Sequence, residues 1–152
     1  MEEKEEISIM TFDMKLADRV IRIHAIFDYI KKYCRDYVLT KQEETSEEFQ
    51  LDFEVTVTQS DIDFERDKSA AEDRKEGIPV RHFTDEYLET LAVYRKIAEQ
   101  MLSYDTILFH GSVIAVDGFG YLFTAKSGTG KSTHTRLWRE NFGDRAVMVN
   151  DD

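Results

Sequence analysis

The clearest alternation of apolar and polar positions runs from Phe49 to Val57. Phe49, Leu51, Phe53, Val55 and Val57 alternate with Gln50, Asp52, Glu54 and Thr56, which predicts a strand with one face buried and one wet. Shorter alternations at Ile7/Ile9 and Ile21/Ile23 predict two more strands. Ile26, Phe27, Ile30, Tyr33, Cys34, Tyr37 and Val38 recur at three-to-four spacing, the signature of a helix with one apolar face. Lys41 to Glu48 is polar and reads as a loop. Residues 59–82 are charged and weakly patterned, with a turn at Gly77-Ile78-Pro79.

A second helix is predicted from Thr84. Thr84 can cap it, Asp85 and Glu86 suit its positive end, and Phe83 can staple onto Leu88. Leu88, Leu91, Tyr94, Ile97 and Met101 form its stripe. Three apolar runs follow: 107–109, 113–116 and 121–124. Asp117-Gly118-Phe119-Gly120 separates the last two as a hairpin turn. A Gly-rich loop, a helix over about 131–141, a stop at Gly143 and a short strand over 146–149 complete the pattern. The expected class is mixed α+β or α/β. Residues 1–104 form an acidic α+β region, and 105–152 a partial nucleotide-binding core with a mainly β sheet and a helix after the loop.

Charge sharpens this division. The chain of 152 residues carries 20 Lys+Arg against 31 Asp+Glu, a net of -11. Residues 101–152 hold five basic and six acidic side chains, so the excess lies in the first two-thirds. That body is well solvated and a poor partner for nucleic acid, which needs clustered cations. The last third is where an anionic ligand can sit. No run of eighteen apolar residues is present, so no membrane helix is expected. The acidic start, Met1-Glu2-Glu3-Lys4-Glu5-Glu6, is unlike a secretory signal. The single Cys34 rules out an internal disulfide, and on an apolar face it reads as core. Together these features favour a cytoplasmic protein.

Ala125-Lys126-Ser127-Gly128-Thr129-Gly130-Lys131-Ser132 fits the phosphate-loop pattern. A loop between strand and helix can turn several backbone N–H groups toward one point, where the helix dipole also favours an anion. Ser127, Gly128, Thr129, Gly130, Lys131, Ser132 and Thr133 are the candidate nucleotide-binding residues. Lys131 would reach the β- and γ-phosphates, and the Ser132 hydroxyl would ligate magnesium. Asp151 and Asp152 end the next apolar run. Adjacent residues of a strand face opposite ways, so one acid would hold the metal and the other would take a proton as general base. His110, shortly before the phosphate-loop strand, is a third catalytic candidate. His134 and Trp138 lie one turn apart and read as packing or surface groups. His24 and His82 carry no motif.

The order of Phe109-His110-Gly111-Ser112-Val113-Ile114-Ala115-Val116, the hairpin, Ser127 to Ser132 and Asp151-Asp152 resembles the catalytic core of the HPr serine kinase/phosphorylase family. Its structural relatives are the ATP-dependent phosphoenolpyruvate carboxykinases. The resemblance covers about residues 105–152. It implies an ATP- and Mg2+-dependent transfer to a hydroxyl of a protein, peptide or small molecule, and self-association, since HPr kinases are oligomers. Lys131 and Ser132 would match the phosphate and magnesium pair, His110 the family's His-Gly histidine, and Asp151 and Asp152 its acidic pair. Ala125 departs from the usual first Gly, and Ser-Gly-Thr-Gly-Lys followed by Thr133 is closer to the carboxykinase loop. Both families continue beyond the acidic pair, so a truncated protein, active only with the remainder supplied, is expected. The alternatives are a carboxykinase-like enzyme and a non-catalytic nucleotide-binding module whose acidic region docks a partner.

Overall fold

A computed structural model describes residues 9–126 and 128–151. The fold is mixed α+β, with two three-stranded sheets. The chain divides into two compact units, the first running to Thr106 and the second from Ile107.

In the first unit β1 (Met10–Leu16) and β2 (Arg19–Ala25) form an antiparallel hairpin, and β3 (Phe53–Thr56) adds parallel to β2. Ala17 and Asp18 turn the hairpin with φ of 48° and 61°. Phe12 pairs with Ile23, and Met14 with Ile21, so one face of the sheet is apolar. That face packs with buried Leu88, Ala92, Val93, Ile97 and Met101 of α4 (Asp85–Met101). Each fully buried Ile or Leu contributes about 1.5–3 kcal/mol. Thr84 caps α4 as the sequence requires, accepting the Tyr87 N–H. Tyr94, placed on the stripe by spacing, is instead exposed.

Three expectations change here. The apolar spacing over 26–38 yields only α1 (Tyr29–Tyr33), because Tyr33 and Tyr37 face water and residues 37–39 join the edge of β1. Lys15 N–H donates to the Tyr37 carbonyl and Leu39 N–H to that of Asp13. The loop over 41–48 contains a short helix, α2 (Lys41–Glu44), capped reciprocally by Thr40 and Glu43. The strand expected from Phe49 begins only at Phe53, where pairing with Ile21 begins. Ile7, one half of the first alternation, lies outside the described residues.

The weakly patterned stretch is largely a helix, α3 (Gln59–Glu76). Ile62 is its only buried apolar side chain. Glu65 and Asp73 are buried with it and are held by cations. Arg95 Nε donates to Glu65 at 2.6 Å, and Arg81 donates to Asp73 through both side chain and backbone. Lys96 Nζ reaches Asp61 at 2.8 Å and the Thr56 carbonyl at 2.7 Å. The attachment is ionic as much as apolar, which is why periodicity misses it.

In the second unit β4 (Ser112–Val116) is central, flanked by β5 (Phe119–Phe123) and β6 (Ala146–Asp151), both antiparallel to it. Asp117 and Gly118 form the tight turn with φ of 52° and 82°, so β5 starts at Phe119, inside the four-residue turn read from sequence. Arg145 forms an ion pair with Asp117, bracing that turn. The helix α5 (Lys131–Phe142) covers one face. Ile114, Val116 and Ala146 are buried there with Phe123, Trp138 and Phe142 packed around them. On the other face Leu122, Val147 and Val149 are exposed.

Candidate active site

The glycine-bearing segment expected to bind phosphate joins β5 to α5, and α5 begins at Lys131. Gly128 and Gly130 have φ of 78° and 101°, a left-handed region that costs other residues strain. The Thr129 N–H donates to the Lys126 carbonyl at 3.2 Å, closing a turn. Gly130 caps α5 and its carbonyl accepts the His134 N–H at 2.9 Å. Lys131 folds back over the loop, with Nζ 3.4 Å from the Ala125 carbonyl. Ser132 and Thr133 occupy the first turn and are exposed. Thr135 is buried beneath them, donating to the Lys131 and Ser132 carbonyls and so stiffening the turn. Ser127 lies outside the described residues.

Strand direction brings Asp151 to the same place. Because β5 and β6 both oppose β4, they run parallel and end at one edge of the sheet. Ser112, at the start of β4, pairs with Phe123 on one side and Asp151 on the other. Two strand spacings put the ends of β5 and β6 about 10 Å apart. His110 precedes Ser112 by two residues and is exposed.

A β-bulge decides where Asp151 points. Ile114 pairs with Met148 but Val113 pairs with Asn150, leaving Val149 as an extra residue. With strict alternation Ala146, Met148 and Asn150 would share the face under α5 and Asp151 would face away. The extra residue reverses this beyond Val149. Asp151 therefore shares a face with Ser112 and Phe123, on the α5 side. The buried Ser112 hydroxyl donates to Asp151 Oδ1 at 3.3 Å, and Asn150 Nδ2 donates to the Gly111 carbonyl at 3.2 Å. The expectation that Asp151 and Asp152 face opposite ways concerns a residue outside the described ones, so only the facing of Asp151 is seen. Asp152 lies outside the described residues.

Gly111 is required by proximity. A Cβ there would sit 2.9 Å from both Leu122 Cδ1 and the Phe123 carbonyl oxygen. The His-Gly pair thus lets the lead-in to β4 lie against the strand that carries the phosphate loop.

Beside the loop is a cavity of about 530 Å³, lined by residues 122–125 and by Thr129, Gly130, Lys131 and His134. Such a volume is in the range of small-ligand sites, about 300–1,000 Å³. The His134 ring stands edge-on to Phe123 at 4.7 Å and 6.0 Å from Trp138. His134 is thus both exposed and packed against rings, as the packing-or-surface reading has it. Sequence reading missed Ser112, whose partnership with Asp151 depends on strand register.

Among the described residues, no group of three or more His, Cys, Asp or Glu is placed to hold a metal by itself. The Ser132 hydroxyl and the Asp151 carboxylate are oxygen ligands of the kind magnesium takes alongside phosphate oxygens. No helix among the described residues is long and apolar enough to cross a membrane. Comparison of the chain with protein-family models, curated proteins and solved structures gives no match.

Proposed function

We propose that residues 107–152 are the ATP-binding core of a magnesium-dependent phosphotransferase of HPr kinase type, acting on a hydroxyl acceptor. One observation carries this reading. The bulge at Val149 turns Asp151 to the face and edge of the sheet where the glycine-bearing loop hands over to Lys131.

In this reading the loop amides and the first turn of α5 hold the phosphate tail. Lys131 reaches from its place beside the Ala125 carbonyl to the β- and γ-phosphates, as a charge-assisted donor. Ser132 and Asp151 would hold magnesium, which when bound neutralises phosphate charge. Ser112 fixes the Asp151 carboxylate. With Asp151 committed to the loop side, the proton of the acceptor hydroxyl falls to Asp152. His110, at the same edge, contributes a hydrogen bond near the transferred group. Catalysis is then chiefly positioning and charge stabilisation.

Calorimetry with ATP and magnesium tests the binding half, and Lys131→Ala should remove the heat of binding. Unchanged affinity in that variant overturns the assignment. Single-turnover incubation with γ-labelled ATP tests the chemical half: transfer or hydrolysis that depends on Asp151 supports a kinase, and binding without turnover supports a non-catalytic nucleotide module.

A further inference from the structure

The cavity beside the loop is lined by two unlike kinds of group. Gly130 and Lys131 are suited to phosphate. His134 stands one turn beyond Lys131, on the same side of α5, and meets Phe123 edge-on. An inorganic phosphate chain is hydrated and multiply charged, so an aromatic wall gives it nothing. A planar, polarisable ring attached to that chain would gain from it.

We infer that the base of the bound nucleoside triphosphate stacks on the exposed His134 ring, and that this residue gives the site its preference for ATP over an inorganic triphosphate. The inference rests on the phosphate-loop reading and adds the residue that reads the base. Phe123 holds the imidazole in place and Trp138 supports it from the next turn. All of these groups belong to the second unit.

The test compares two ligands that share a triphosphate. ATP and inorganic tripolyphosphate are titrated with magnesium into the whole chain, by calorimetry. The wild type should bind ATP at least about tenfold more tightly, the size of one base–aromatic stack. His134→Ala should abolish most of that preference and leave tripolyphosphate within about twofold. His134→Phe, which keeps a ring, should restore it. Equal affinities in the wild type, or a preference that survives His134→Ala, overturns the inference while leaving the phosphate loop intact. Absence of binding by both ligands overturns the loop reading and this one with it.

Discussion

Ser112 and Asp151 are direct partners across the β4–β6 ladder, and the Ser112 hydroxyl donates to the carboxylate at 3.3 Å. Ser112 is fully buried, so its hydroxyl has few alternatives. The contact holds the acid at the edge where β5 releases the glycine-bearing loop. On the phosphotransferase reading, Ser112→Ala should leave ATP affinity within about threefold and lower the rate of phosphoryl transfer by about tenfold, since it loosens a positioned group without removing it. Rapid-quench measurement of a single turnover reads the two effects separately.

Asp151 is placed by its register opposite Ser112, so the bulged residue before it should be dispensable. Deleting Val149 makes the alternation of β6 regular and leaves Asp151 opposite Ser112 on the α5 side. On the phosphotransferase reading, turnover in that variant should stay within about threefold of wild type, whereas Asp151→Asn should lower it by about a hundredfold or more. Equal losses in the two variants would show that the bulge itself is needed.

Gly111→Ala should destabilise the second unit by about 1–3 kcal/mol, because a methyl group there collides with the Leu122 side chain and the backbone oxygen of Phe123. Trp138 is the only tryptophan and packs against Tyr121, Phe123 and Phe142. Its fluorescence during urea unfolding reports this unit. A midpoint equal to wild type would show that the backbone yields freely.

Acid should loosen the attachment of α3. Burial opposes ionisation of Asp61, but the Lys96 ammonium and the Thr58 N–H and hydroxyl outweigh it and bring the carboxyl down to about 2. A folded-state value below the unfolded one means stabilisation that is complete above the ordinary aspartate range, near ~3.9, and is lost as pH falls toward 2. Glu89 has the opposite sign. Burial pushes its carboxyl up although the Ile26 and Phe27 N–H groups donate to it, so it favours the folded chain less as pH rises through its shifted range. Denaturation midpoints across this acid range should fall less steeply in Asp61→Asn than in wild type, and that variant should cost about 1–2 kcal/mol at neutral pH.

What was legible in the chain follows from what kind of force holds each part. Apolar contacts leave a pattern: β2 and α4 are found where alternation and three-to-four spacing place them, and β4 where an apolar run does, while β5 begins two residues earlier than its run. The Asp-Gly turn and the Lys131 helix start are also written locally. Charge-paired packing leaves no period: α3 buries Glu65 and Asp73 against Arg95 and Arg81, partners 30 and 8 residues away. Tyr33, Tyr37 and Tyr94 mislead because a tyrosine at an apolar position can put its ring in water. In the site, Lys131 and Ser132 were readable as a motif. The facing of Asp151 was not, since a bulge belongs to a pair of strands and one strand's sequence does not disclose it.

β4 carries neighbours on both flanks, and its first residue abuts the strand end that launches the phosphate loop and the strand end that bears the carboxylate. The two halves of the proposed chemistry therefore hang from a single lever. A tug on residues 107–111 reaches both together, so tension on that short lead would shift donor grip and acid in concert rather than one at a time.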